Sequence, residues 1–315
     1  MPHEITGTAP QLQKVLEKAK RAARSGARVL LTGETGTGKE LLARRIHAQS
    51  RAASGPFVAV NCAGLSAALL ESALFGHVKG AFTTAHRTHE GLAAAARGGT
   101  LFLDEVSELP FETQAKLLRF VETGEFCKVG ATQTETSDAR IICASNVSLE
   151  SAAGQGAFRE DLYYRLAVVT LCLPPLRERR GDILPLALRF LCDLSAREGK
   201  AFADIDKQAQ DALCAHDWPG NIRALQNAVH AAVALHDGET LTRDMLDLPQ
   251  GESAPISILR EAARPQPLAR VQEAAIEAAL EYCGGNIPKA ARLLEVSPST
   301  LYRRLTPEAA KTASS

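Results

Sequence analysis

Gly33-Glu34-Thr35-Gly36-Thr37-Gly38-Lys39-Glu40 follows the apolar run Val29-Leu30-Leu31 and precedes a helical pattern carrying Leu41, Leu42 and Ile46. A glycine-rich loop between a buried strand and a helix is the setting in which backbone N–H groups converge on phosphate oxygens. The helix that follows offers its positive N-terminal end. Lys39 would neutralise the β- and γ-phosphates. Position 40 is Glu, where the generic loop has Ser or Thr to hold Mg2+, so the metal ligand must come from elsewhere.

A second run, Gly98-Gly99-Thr100-Leu101-Phe102-Leu103-Asp104-Glu105, ends an apolar strand in two adjacent carboxylates. Strand ends of a parallel sheet are where ligands bind. Asp104 would hold Mg2+, directly or through water, and Glu105 would polarise an attacking water as general base. Two carboxylates side by side are costly to hold together unless a cation shares the site.

The surrounding pattern agrees. Phe57-Val58-Ala59-Val60, Ile141-Ile142-Cys143-Ala144 and Val168-Val169-Thr170-Leu171 are further short apolar runs interleaved with helical patterns. They read as buried strands of a parallel sheet flanked by helices, an α/β fold over residues 5–173. Pro174-Pro175 punctuates the chain, and the apolar pattern is then helical to Leu246, a small all-helical lid over 174–248. Four prolines with Gly251 and Ser253 mark a linker over 249–267. A compact helical module follows over 268–306.

In that module Ile276, Ala279, Leu280 and Cys283 share one helix face. Gly284-Gly285 ends the helix and Asn286 caps the next, whose apolar part is Ala290, Ala291, Leu293 and Leu294. Ser297-Pro298 starts a third helix. This is a helix-turn-helix pattern. The third helix exposes hydroxyls and arginines: Ser299 and Thr300 near its start are placed to reach base edges, Tyr302 follows, and Arg303 and Arg304 are placed to take phosphates or guanine.

Composition bounds the rest. The 315 residues are 45% hydrophobic and 23% charged, ordinary for a soluble globular protein. The formal net charge is zero, so no global field draws the chain to nucleic acid or membrane, and DNA contact must come from a local basic surface. No apolar run approaches the roughly 20 residues that span a bilayer. The seven cysteines are odd in number and form no CxxC pair, which reads as buried thiols in a reducing cytoplasm.

With both nucleotide motifs in place, three more runs carry a resemblance: Glu71-Ser72-Ala73-Leu74-Phe75-Gly76-His77, Phe158-Arg159-Glu160-Asp161-Leu162-Tyr163-Tyr164-Arg165-Leu166 and Trp218-Pro219-Gly220-Asn221-Ile222-Arg223. From about Ile5 to Leu248 the chain is similar to the AAA+ P-loop NTPase domain of sigma-54-dependent transcriptional activators, the bacterial enhancer-binding proteins. Glu40 is what this family shows. The resemblance implies ATP and Mg2+ as cofactors. It implies that Asn61 pairs with Glu105 until γ-phosphate is sensed, and that Asn146, in Ser145-Asn146, is the first sensor. Arg159 and Arg165 match arginine fingers for the neighbouring subunit's γ-phosphate, and Arg223 the second sensor on the lid. Such fingers imply a ring; the family forms hexamers, often from dimers.

The family also inserts a loop, Gly-Ala-Phe-Thr-Gly-Ala, that touches sigma-54. Here it is Gly80-Ala81-Phe82-Thr83-Thr84-Ala85, agreeing at five of six positions. Thr84 is β-branched and disfavours the positive φ that Gly permits. An exposed Phe82 at the loop tip suits a partner contact. The C-terminal module resembles the Fis-type DNA-binding domain that ends these activators. The implied function is an ATPase that binds palindromic upstream DNA and remodels the sigma-54 RNA polymerase holoenzyme for open-complex formation. The alternative is a regulator of ordinary sigma-factor promoters that uses ATP only for assembly, for which Thr84 is the main support. A chaperone-like role is opposed by the helix-turn-helix. The resemblance begins within the first few residues, where this sequence has no room for an N-terminal regulatory domain; constitutive activity, a separate regulator protein, or a longer chain of which this is a fragment are then the expectations.

Overall fold

The computed structural model describes residues 5–82 and 85–248, together with Ile276, Ala279, 286–294 and Val296. The chain divides into two compact units, Met1–Gln250 and Gly251–Ser315.

The first unit is built around α1 (Pro10–Ser25), β1 (Val29–Thr32), α2 (Lys39–Ala48), β2 (Phe57–Asn61), α3 (Ala67–Phe75), β3 (Gly76–His77), β4 (His89–Glu90), α4 (Leu92–Ala95), β5 (Thr100–Asp104), α5 (Phe111–Thr123), β6 (Glu125–Cys127), β7 (Thr134–Thr136), β8 (Arg140–Ser145), α6 (Leu149–Gly154), α7 (Glu160–Leu166) and β9 (Val169–Cys172). Five strands form one sheet in the order β2-β5-β8-β1-β9. All four neighbouring pairs are parallel. Their C-terminal ends therefore lie along one edge.

The strand alternation explains the layers. Successive strand side chains point to opposite faces. Leu30, Leu101, Leu103, Ile141 and Cys143 pack on one face with Leu74, Leu117, Phe120 and Leu162 of α3, α5 and α7. Val29, Leu31, Phe102, Ile142 and Ala144 pack on the other with Leu12 and Leu16 of α1 and Leu42 and Ile46 of α2. The central strands β5 and β8 are buried along nearly their whole length, which matches their unbroken apolar runs.

A 3-10 segment, Leu176–Asp182, leads into a helical subdomain: α8 (Ile183–Glu198), β10 (Asp204–Ile205), α9 (Lys207–Ala215), α10 (Asn221–Leu235) and β11 (Thr240–Leu241). Its own core gathers Leu186, Leu191, Leu213, Trp218, Leu225 and Val229. Trp218 is fully buried, and its indole N–H donates to Leu213 O at 2.8 Å, so its polar atom is satisfied.

In the second unit α11 (Ile287–Leu293) is described. Asn286 caps it, its side-chain oxygen accepting the Lys289 N–H at 3.1 Å. Ala279 and Ala291 are buried against Ile276, Ile287 and Leu294. Leu280, Cys283 and the assigned DNA-contact residues Ser299, Thr300, Tyr302, Arg303 and Arg304 lie outside the described residues.

The cysteine expectation is corrected. Cys62 and Cys143 are buried, Cys127 and Cys214 are half-buried, and Cys172 and Cys192 are exposed. Cys172 ends β9, an edge strand whose alternate residues face outward. No helix among the described residues is long and apolar enough to cross a membrane.

Candidate functional site

The loop Gly33–Gly38 leaves the C-terminal end of β1 and enters α2 at Lys39. Lys39 is buried, and its ammonium donates to Gly33 O at 2.7 Å and Glu34 O at 3.1 Å. Burial pushes its pKa down, while Asp104 and Glu105 hold it up. Arg223 lies near enough to disfavour the Lys39 charge further. Arg223 is exposed and makes no ion pair among the described residues. Two cations thus face one space with no acidic partner of their own for Arg223, which suits a polyanion.

β5 delivers the carboxylates to the same edge. Asp104 is half-buried, and burial raises its pKa; Lys39 opposes that rise and Glu105 adds to it. A divalent cation would relieve this strain. Among the described residues no group of three or more His, Cys, Asp or Glu could hold a metal alone. One carboxylate beside a phosphate loop is what Mg2+ accepts, since it completes its shell with water and substrate phosphate. The residues therefore fit Mg2+ bound together with a nucleotide. Glu105 follows the strand with φ 53, in the left-handed region, and lines the same cavity as Asp104.

Thr35, Gly36, Gly38, Lys39, Glu40, Asp104, Glu105 and Arg223 line one cavity of about 210 Å³. It adjoins a second of about 300 Å³ lined by Ile5, Thr6, Leu12, Leu173, Leu186 and Phe190, and both are walled by Gly38, Leu41, Ile222 and Gln226. The first is lined by charged and polar groups; the second is largely apolar but also carries Arg189, Asp193 and Arg197, a profile that suits phosphates at one end and a nucleoside at the other. No sequence motif marks this second cavity, because its walls come from the chain's first residues and from the distant helices α8 and α10.

The lid is clamped onto the loop, which the sequence also did not reveal. Arg177 forms a two-bond ion pair with Glu34, at 2.8 and 2.6 Å. Buried Arg179 donates to Thr37 O at 3.1 Å. Asn221, fully buried with φ 53, donates to Thr35 O at 3.0 Å and accepts the Leu176 N–H at 2.7 Å. Ile222 N–H donates to Gly36 O at 3.0 Å. Gly36 has φ 79, and a side chain there would run into Gly220 O and Arg223 Cβ. Only glycine allows the lid this close approach.

Other assigned residues fall as follows. Asn61 ends β2, opposite Asp104 in register. Its side-chain oxygen accepts the Ala63 N–H at 2.9 Å, and among the described residues it makes no bond to Glu105. Among the described residues the expected Asn61–Glu105 bond is therefore not made, the Asn61 side-chain oxygen being engaged in a local turn. Glu40 lines the cavity, but its carboxylate is engaged by Arg44 at 2.7 Å one helical turn on. Asn146 follows β8 and is exposed. Since β8 lies between β5 and β1, Asn146 sits on the edge between the carboxylates and the phosphate loop.

Arg159 and Arg165 are not among the residues that line that cavity. Arg159 pairs through two nitrogens with Asp161, at 3.0 and 2.7 Å, and stacks over Phe111. Arg165 pairs with Glu122 of α5 at 2.8 Å. Arg159 stands immediately before the short helix α7 and is half-buried, and Arg165 lies in its last turn and is exposed.

The loop between β3 and β4 starts from a seat on the turn after β6. Val78 N–H donates to Val129 O and Val129 N–H to Gly76 O, at 3.1 and 2.9 Å. Gly130, with φ 79, lies beneath Ala81; a Cβ there would stand 2.9 Å from the Ala81 Cβ. The loop neck is closed by Gly80 N–H to Ala85 O at 2.8 Å. Phe82 is not fully exposed as expected. It is half-buried, with its ring 4.9 Å from that of His77, because an apolar ring beside a packed histidine gains by covering it. Thr83 and Thr84 lie outside the described residues.

Comparison with known proteins agrees with this geometry. Residues 5–172 match the sigma-54 interaction domain, 177–256 the AAA+ ATPase lid domain, and 267–306 the bacterial regulatory protein, Fis family. The chain is 46% identical over 308 residues to the regulatory protein LuxO of Vibrio cholerae, covering 95% of this chain and 68% of that one. It is 45% identical over 302 residues to the transcriptional regulatory protein ZraR of Escherichia coli K12, covering 96% and 68%. The crystal structure of NtrX from Brucella abortus in complex with ATP superposes with a TM-score of 0.71 at 36% identity, covering 96% of this chain and 68% of that one.

Proposed function

The chain belongs to the sigma-54-dependent transcriptional activators, and from that membership we propose that it works as a ring of its own copies, hydrolysing ATP to remodel sigma-54 holoenzyme at promoters whose upstream DNA it binds. The observation that carries this reading is the single cavity onto which Lys39, Asp104, Glu105 and Arg223 converge, continuous with an apolar chamber.

In this reading the Gly33–Lys39 backbone and the Lys39 ammonium take the β- and γ-phosphates. Lys39 gives up its bonds to the loop carbonyls when phosphate arrives. Asp104 would hold Mg2+, which would supply charge neutralisation for the same phosphates. Glu105 accepts the proton of the attacking water. Asn61 and Asn146 stand at the strand ends where a γ-phosphate would be sensed, and Arg223 reaches it from the lid. Arg159 and Arg165 leave Asp161 and Glu122 to serve the neighbouring copy's phosphate, so hydrolysis requires assembly. The Gly80–Ala85 loop then presents Phe82 to sigma-54. Ser299, Thr300, Tyr302, Arg303 and Arg304 hold duplex DNA, and two copies on a palindrome add their affinities.

The test is open-complex formation at a sigma-54 promoter with purified protein, holoenzyme and ATP. ATP-dependent opening that Lys39→Ala lacks is the expected result. Hydrolysis without opening would instead favour regulation at other promoters and point to Thr84 as the cause.

A further inference from the structure

Asp182 stands immediately before α8, where an aspartate ordinarily accepts N–H groups of its own helix. It makes no such cap. Its Oδ1 instead accepts the Thr8 N–H at 2.7 Å and the Ala9 N–H at 3.2 Å. The local preference of an N-cap is thus given up for a bond to a segment 174 residues away.

That segment, residues 5–9, precedes α1 and forms a strap between the two subdomains. Its Ile5 and Thr6 line the apolar chamber beside Gly38. Arg189 of α8 donates to Thr6 Oγ1 at 2.5 Å, so the strap is bonded to the lid at two points. α1, which follows directly, packs instead on the sheet.

Beneath the strap the polar groups are incompletely matched. Asp182 is 1% exposed, and among the described residues its Oδ2 has no partner. Arg179 is 2% exposed, with Nε and Nη1 unpartnered and only Nη2 engaged, on Thr37 O of the phosphate loop. The two charges act on each other, but among the described residues Arg179 and Asp182 form no direct ion pair. Buried ions left partly unsatisfied are kept at a cost in stability. A well-packed apolar pair would stabilise the lid as well, so the retained charges point to a task other than stability.

We propose that Asp182 is a positioning residue for nucleotide binding: it pins the strap that walls the nucleoside end of the cavity. Arg179, between Asp182 and Thr37, connects that pin to the phosphate loop. The inference rests on the reading that the apolar chamber receives the nucleoside.

Binding of fluorescent ADP and ATP analogues to the full chain tests it, in the parent and in Asp182→Ala, Asp182→Asn and Ala9→Pro, with thermal midpoints recorded with and without nucleotide. Ala9 has φ −56, so proline fits there and removes only one N–H bond to Asp182. Asp182→Ala should weaken ADP and ATP alike by about tenfold, the loss expected when hydrogen bonds to a charged group are removed. It should raise the ATP concentration for half-maximal turnover with little loss at saturation. Ala9→Pro should weaken both by about threefold, and Asp182→Asn, which keeps an acceptor oxygen, should recover most of the affinity. Unchanged ADP affinity in Asp182→Ala and Ala9→Pro, with lowered midpoints, would make Asp182 purely structural and overturn the proposal. So would a loss confined to ATP, because the strap borders the nucleoside and not the γ-phosphate. If Asp182→Ala does not fold, Ala9→Pro carries the test alone. A parent protein that binds no nucleotide would overturn the proposed function itself, a separate outcome.

Discussion

Arg165 of α7 is paired with Glu122 of α5 at 2.8 Å, inside its own subunit. Both side chains are more than one-third exposed, at 56% and 37%, so the pair is worth about 0–1 kcal/mol. It is weak enough to be exchanged for a phosphate in trans. Arg165→Ala should abolish turnover even at protein concentrations that assemble rings. Glu122→Gln should lower, by about twofold to fivefold, the protein concentration giving half-maximal ATPase activity. Turnover near the parent level in Arg165→Ala would remove that residue from the role.

Glu105→Gln keeps the shape of the site and removes its base. Turnover should fall by at least about 100-fold, while nucleotide affinity stays within a few-fold of the parent. Equilibrium binding and steady-state phosphate release measure the two quantities.

Gly130→Val should unseat the partner loop. The new Cβ meets Ala81 at 2.9 Å, and φ 79 is strained for a β-branched residue. Sigma-54 binding in the presence of a transition-state nucleotide analogue should be lost, with basal ATPase activity within a few-fold of the parent. Retained sigma-54 binding would show that the loop does not depend on this seat.

Cys62 lies under the carboxylates, and burial with the nearby Asp104 and Glu105 pushes its thiol up to about 12. At pH 8 about one Cys62 in ten thousand is then a thiolate. Alkylation at pH 8, mapped by mass spectrometry, should mark exposed Cys172 and Cys192 and spare Cys62 and Cys143. Reaction at Cys62 should appear only after unfolding.

Asn221→Ala removes the bonds to Thr35 O and Leu176 N–H and leaves alanine at φ 53. Asparagine tolerates the left-handed conformation better than alanine. The cost should be about 2–4 kcal/mol, read from denaturant unfolding, together with weaker nucleotide binding.

Much of the catalytic edge was legible in the chain. The glycine spacing of 33–38 and the carboxylates at the end of Leu101-Phe102-Leu103 are local signals that need no tertiary information. The conformations of side chains near them were less so. Asn61 ends one strand and Glu105 follows the end of its parallel neighbour, but whether they touch depends on the local turns at Asn61 and at Glu105. Neither turn leaves a mark in residue type that distinguishes it from its alternatives. Phe82 reads as exposed in the sequence because nothing near it in the chain identifies His77 as its cover.

By itself the sequence determined the parallel sheet, its two packed faces and the order of the nucleotide motifs, because apolar periodicity and glycine spacing act over a few residues. Only the tertiary structure decided how the lid closes on them. Arg177 meets Glu34 across 143 residues, Asn221 meets Thr35 across 186, and Asp182 meets Thr8 across 174. Such pairs form when two separately folded cores bring their edges together. Their partners are set by packing and burial in space, which no spacing along the chain records.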